Sequence, residues 1–412
     1  MSAPTSSPGI QAERFQGGQK MLVAGGGIGL LLVAASVAGI FMGDEKTQQL
    51  ASAGYLVGFA YWCGIAFASV LLLQIFHATR AKWFTVLKRP VEAMGATMPL
   101  FLVLFVPVIL AMKKLYSWVD PAASYPPDTP HREELMRLLE HKQPWLNSSA
   151  FIGRGFFYLL FATVVVSLLF RWSKQQDSSG DPQLTQKQRN LGAGALPFVG
   201  LAMTFAAFDW LMSLNPTWFS TVFGVYWFGG SFVSALSVLA IATDWNRTKD
   251  GVGVFVTAEH THNIGKLMLA FVCFWTYIAF SQLMLIWIAG LPEETPFYIT
   301  RFKAGWAGVG VALIFGHFFL PFGALLSRSL KRNARLLGGV AMWILLIHFI
   351  DIYWLVVPTF SPDGVAFHWT FVTAPVGVGL LALAFGISRL RGHYAVPIRD
   401  PYLAESLRYR QP

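Results

Sequence analysis

Charge and thiols are both scarce in this chain. Only 13% of its 412 residues are Asp, Glu, Lys or Arg, while 55% are hydrophobic; soluble domains carry about 25% charge. Two or three water-soluble domains are therefore excluded, and a polytopic membrane protein is expected. The only cysteines, Cys63 and Cys273, lie in apolar runs. They cannot supply the four thiolates of an iron–sulfur cluster or of a closed all-cysteine zinc site, and their placement argues against a disulfide. The sequence also lacks a small-residue cleavage site behind the apolar run that follows Lys20. A retained first span, rather than a signal peptide, is the expectation. Within that run, Gly25-Gly-Gly-Ile-Gly29 has no strand before it and lies at membrane depth, so it reads as a helix-packing surface rather than a dinucleotide loop.

What the chain does have is long apolar runs. Leu267 to Pro292 contains no charged residue, which is enough to cross a bilayer. Ten such runs are expected, with approximate bounds 21–42, 51–76, 93–112, 149–170, 191–214, 220–242, 267–292, 305–325, 336–357 and 367–390. The fold class is an all-α polytopic membrane protein. Residues 1–20 and 391–412 form tails around a ten-helix domain, 21–390, and spans 2 to 5 and 6 to 9 share a topology that suits two parallel four-helix units. Pro99 and Pro107 predict a kink in span 3. The long connection at 113–147 is Pro-rich in its first half, and His131 to His141 has the spacing of a short amphipathic helix.

The +10 net charge is a topology signal. The two tails and the loops after spans 2, 4, 6 and 8, together with Arg389 at the end of span 10, hold 22 Lys and Arg; the other loops hold 8, and Arg154 is left inside a span. By the positive-inside rule both termini of this multi-pass protein are cytoplasmic and the 113–147 loop lies on the other side of the membrane. Nucleic acid is not needed to explain the bases; lipid is the surrounding partner.

Polar residues at membrane depth are the candidate functional groups. Asp209 lies about one turn from the outer end of span 5, either as a carboxylate held by Arg154 or a helix terminus, or as a proton carrier. His348 and Asp351, three apart on span 9, share a face and suit either a proton relay or a buried histidine tied by its carboxylate to fix helix rotation. His317 sits near the middle of span 8, and only His317 with His348 could pair as haem ligands. On span 7, Lys266 and Tyr277 belong with Asn263, Cys273 and Ser281 to a polar stripe within an arc of about 80°, expected to face protein or water. Glu259, His260 and His262 with Asp244 mark a cytoplasmic mouth, as a proton collector or as an ordinary charged interface. No catalytic residue and no metal ligand set stands out.

Three segments carry a resemblance: Asp209-Trp-Leu-Met-Ser-Leu-Asn-Pro-Thr-Trp-Phe-Ser-Thr-Val-Phe-Gly-Val-Tyr226, Gly265-Lys-Leu-Met-Leu-Ala-Phe271 with Phe274 to Trp287, and Leu291-Pro-Glu-Glu-Thr295. The chain resembles the ActF-type membrane subunits of bacterial alternative complex III, which look like the NrfD/polysulfide-reductase anchors. Asn147 and Arg154 also resemble the start of that family's span 4. The resemblance implies two four-helix bundles, spans 2 to 5 and 6 to 9, flanked by spans 1 and 10, in a bacterial inner membrane with the 113–147 loop in the periplasm. It implies membership of a respiratory or photosynthetic quinol:electron-acceptor oxidoreductase, in which this subunit provides a proton pathway coupled to quinol oxidation in a paralogue. The alternatives are a quinone-binding anchor and a pure scaffold. The implied partners are an ActC-type quinol-binding subunit, an ActB-type iron–sulfur subunit, multihaem and monohaem cytochrome c subunits, and small membrane subunits. Haem c and iron–sulfur clusters then belong to the partners, and menaquinone or another quinone is the cofactor this chain itself could hold.

Overall fold

A computed structural model describes residues 13–245, 251–303 and 305–410; residues 1–12 of the expected N-terminal tail lie outside them. The described chain has ten helices long and apolar enough to cross a membrane. They are span 1, Met21–Gly39; span 2, Glu45–Ala78; span 3, Lys82–Leu110; span 4, Ser148–Ser179; span 5, Pro182–Leu214; span 6, Phe223–Asp244; span 7, Ala258–Ala289; span 8, Trp306–Leu326; span 9, Ala334–Thr359; and span 10, Thr370–Leu390. The described ends of the chain meet on one side, where Arg14 forms an antiparallel bridge with Tyr394. We call this the terminal face and the other the opposite face.

Span 2 is the axis. Asp44 caps it by accepting from the Thr47 amide at 3.1 Å, and its apolar residues run all round the helix, which suits a buried position. It touches spans 3, 5, 6, 9 and 10. Close approach to span 10 needs Gly58, where a Cβ would sit 2.7 Å from the Pro375 nitrogen. Contacts run from span 2 through 3, 4 and 5 and close between 5 and 2; a second circuit links 6, 7, 8 and 9 and closes between 9 and 6. Span 1 lies against span 10.

The proline expectation holds in span 3, which breaks into helices Lys88–Gly95, Met98–Leu104 and Val106–Leu110 around Pro99 and Pro107. The short helix in the long loop is present at Arg132–Lys142. Span 3 starts well before residue 93, because Lys88, Arg89 and Glu92 are buried in pairs rather than left in a loop.

Span 7 divides the expected polar stripe, with Asn263 buried, Lys266, Cys273 and Ser281 half-buried and Tyr277 exposed. Its buried face carries Met268, Trp275, Gln282 and Ile286, about 150° around the helix from the Asn263-to-Ser281 stripe. Tyr277 is 66% exposed and turned away from the bundle. Lipid is as apolar as a protein core, so hydropathy alone does not tell the inward face of such a helix from the outward one.

Candidate functional site

The deepest polar cluster lies among spans 6 to 9. His348 and Asp351 follow each other by one turn on span 9 and are fully buried, with His348 Nδ1 3.4 Å from Asp351 Oδ2. The Tyr226 hydroxyl of span 6 donates to the other carboxylate oxygen, Oδ1. From span 8, His317 brings its ring centroid to 5.9 Å from that of His348, nearly perpendicular to it. Trp275 of span 7 stacks on His317 at 3.7 Å. Four helices thus each contribute a side chain.

Local backbone makes this approach possible. His317 lies in a π-helical turn, Ile314–Phe319, where the Leu320 amide bonds to the Phe315 carbonyl five residues back. Pro321 follows, and without an N–H it cannot serve the carbonyl of His317 four residues earlier; the wider turn accommodates that gap. On span 6, Gly230 faces the His348 ring. A Cβ there would lie 2.4 Å from Cε1 and 2.7 Å from Nδ1, so only glycine admits the imidazole at this depth.

The cluster is under-satisfied. Both ring nitrogens of His317, both of His348, and Asp351 Oδ2 have no hydrogen-bond partner among the described residues. Buried polar atoms left this way are costly. The nearest donor atoms of His317, His348 and Asp351 lie within 4.8 Å of one another. A tetrahedral metal at about 2.1 Å from its ligands would space them about 3.4 Å apart, so the set would have to contract to hold one.

Toward the opposite face, polar groups continue. Arg301, on the short helix Thr295–Arg301, is fully buried. Its guanidinium donates to the carbonyls of Trp354 at 3.2 Å, Leu355 at 2.6 Å and Phe297 at 2.9 Å, capping the end of span 9. Burial pushes its pKa down to about 9, and the neighbouring Tyr298 and Tyr226 oppose that shift, so it stays charged at neutral pH. Gln282 donates to the Tyr298 hydroxyl at 2.9 Å, and Ser220 lies 3.1 Å from the Gln282 carbonyl oxygen.

Asp209 has a different environment. Arg154 donates Nε to Oδ2 at 2.9 Å and a second nitrogen to Oδ1 at 2.8 Å, while Tyr158 and Trp145 each add a bond at 3.0 Å. Every lone pair is used, and the bidentate cation fixes the charge. The expected pairing of Asp209 with Arg154 is therefore present.

The terminal-face candidates are likewise engaged locally. Glu259 pairs with Arg332 at 2.6 Å. His260 is the third residue of a capping box with Thr257, and His262 and Lys266 are partly buried beside it. Asp244 closes span 6. From His260 to Trp275 is about 22 Å of helix. On span 6 the buried Ser231, Ser234 and Ser237 line that interval one turn apart, the latter two donating to their own helix. The mouth and the His317/His348/Asp351 cluster are therefore separate groupings.

Several residues escaped sequence reasoning. Arg301 and Tyr226 complete the central cluster, and a second buried set lies at the terminal face of spans 3 to 5. There Arg89 donates to Glu92 at 2.9 Å and to Asp177, and Lys88 pairs with Asp400 at 3.1 Å. One signal was legible. Tyr61-Trp-Cys-Gly64, Gly95-Ala-Thr-Met-Pro-Leu-Phe101 and Asp209 with Pro216-Thr217 recur, in order, as Tyr226-Trp-Phe-Gly229, Gly265-Lys-Leu-Met-Leu-Ala-Phe271 and Asp351 with Pro358-Thr359. That register pairs Asp209 with Asp351 and singles out Tyr226.

The fold and its buried cluster define a polytopic helical membrane protein with a His/Asp/Tyr site inside its helices. No protein-family model matches the chain, and no curated protein sequence matches it.

Proposed function

We propose that this chain is a proton-conducting membrane subunit of a quinol:electron-acceptor oxidoreductase of the alternative complex III type. The observation that carries the reading is the buried His317, His348 and Asp351 set with its five unpartnered polar atoms. Imidazole and carboxylate groups that are not locked by a bidentate cation can exchange protons, and in a membrane interior they are costly unless used. A proton on Asp351 can pass to Tyr226, and beyond it Tyr298, Gln282 and Ser220 offer hydroxyl and amide groups toward the opposite face. On the other side, Ser231, Ser234 and Ser237 lead toward the terminal face. In this reading the electrons stay in partner subunits: an ActC-type quinol-binding paralogue, an ActB-type iron–sulfur protein and cytochromes c. The resemblance of the Asp209 to Tyr226, Gly265 to Trp287 and Leu291 to Thr295 segments supports that assignment.

The test is His348→Gln and Asp351→Asn in the assembled complex, reconstituted in vesicles. Protons moved per electron should fall while the cytochromes stay assembled and the apparent quinol KM is unchanged. A raised KM with intact coupling would instead favour a quinone site here. No change in either quantity would favour a scaffold.

A further inference from the structure

A basic pocket on the terminal face has no part in the proton reading. It is formed by the end of span 2 (Leu73, Phe76, His77, Arg80), by Lys82, Phe84 and Lys88 at the start of span 3, by Arg189 on span 5, and by Asp400 and Tyr402 of the C-terminal segment. Four permanent cations, Arg80, Lys82, Lys88 and Arg189, here surround one carboxylate, Asp400. Lys88 is paired with that carboxylate at 3.1 Å. Lys82 is held by Glu405 at 2.9 Å, and it and Arg189 lie over the Tyr402 ring at 5.4 and 4.7 Å. Arg80 has no carboxylate partner among the described residues and sits at a φ of 54°, in the left-handed region. His77 Nε2 is buried without a partner.

The cavity measures about 40 Å3, room for about three waters at 10–15 Å3 each, or for the oxygens of one phosphate group. Its floor is apolar, with Phe76 and Phe84 stacked at 3.7 Å and Leu73 beside them. A basic rim over an apolar floor at the end of a membrane span matches an amphiphilic anion.

We propose that this pocket binds a phosphate group, carried by the headgroup of an anionic phospholipid. Arg80 and Arg189 supply the charge-assisted bonds that neutral headgroups cannot balance, and guanidinium forks suit phosphate oxygens. Binding ties the end of span 2, the start of span 5 and the C-terminal segment together, so the ligand stabilises the terminal face.

The experiment uses the full-length protein in mild detergent, with Arg80→Gln/Arg189→Gln as the test variant and Lys113→Gln, on the opposite face, as the control. Phosphatidylglycerol, phosphatidylcholine and inorganic phosphate are added separately; thermal unfolding and native mass spectrometry follow the response. Phosphatidylglycerol should raise the Tm of wild type and control but not of the test variant, and the variant should retain the lipid about tenfold less well or worse. If inorganic phosphate alone reproduces the shift in wild type and not in the variant, the phosphate site stands and its source is soluble. Equal responses in wild type and test variant, or equal shifts with phosphatidylcholine, would overturn the proposal. The ligand-free Tm of the variant reports whether it folds.

Discussion

Gly230→Ala tests the central cluster without touching a titratable group. The added Cβ would stand 2.4 Å from His348 Cε1 and 2.7 Å from Nδ1, where ordinary contact begins at 3.4 Å. Trp275 Cδ1, at 3.2 Å on the same side, limits escape in that direction. The imidazole must therefore retreat by about 1 Å or the helices must part, since close-packed interiors leave little slack. Nδ1 is 3.4 Å from Asp351 Oδ2, so a displacement of about 1 Å is enough to carry the pair beyond ion-pair reach. Overpacking of this kind costs about 1–3 kcal/mol, offset slightly by the helix propensity of alanine. Thermal unfolding of the purified variant should show a Tm lower by a few degrees. Vesicles containing the complex should show fewer protons moved per electron with electron transfer intact. Gly339→Ala, where an added Cβ meets nothing within 4 Å, is the matched control and should do neither. Full coupling and an unchanged Tm in Gly230→Ala would refute both the packing inference and the role given to His348.

Arg154→Met should destabilise the protein by about 3–5 kcal/mol in chemical unfolding, because Asp209 is left buried without its cation; a loss under about 1 kcal/mol would contradict the saturated-carboxylate reading. Asp209→Asn should leave protons per electron unchanged, in contrast to Asp351→Asn. Arg301→Lys exchanges a fork for a single ammonium at the end of span 9, and should lower the Tm with a loss of about 1–3 kcal/mol, read by unfolding. Tyr277→Phe, on the outward side of span 7, should change coupling by less than the error of the vesicle assay and stability by under about 0.5 kcal/mol.

The number, order and type of the spans were legible because a bilayer demands about 20 apolar residues whatever surrounds them. Side-chain orientation was less so. The stripe containing Tyr277 was expected against protein or water on polarity; within this chain its Asn263 is buried, while Trp275 and Gln282 rather than Tyr277 pack into the bundle. The charged run Lys88-Arg-Pro-Val-Glu92 reads as a loop on charge alone. Its burial depends on Asp177 and Asp400, partners far along the chain that a local reading does not supply. His348 with Asp351 was visible because spacing along one helix fixes a shared face. Their meeting with His317, Tyr226 and Arg301 depends on tertiary packing.

The recurrence of an aspartate before Pro-Thr in spans 5 and 9 sharpens the contrast between the two carboxylates. Asp209 accepts from two Arg154 nitrogens, Tyr158 and Trp145, so protonating it would strand a guanidinium and break several bonds at once. Asp351 accepts from Tyr226 alone, with His348 off hydrogen-bond geometry at 3.4 Å. The buried Arg301 beyond it spends its donors on three backbone carbonyls. On the proposed reading, a proton at Asp351 therefore disturbs one hydrogen bond rather than a bidentate pair. If the two halves descend from one unit, the arginine on span 4 saturates the first carboxylate, and span 8, where His317 lies in a π turn, brings no arginine to the second. Whatever moves through this protein is then expected to move through the half formed by spans 6 to 9.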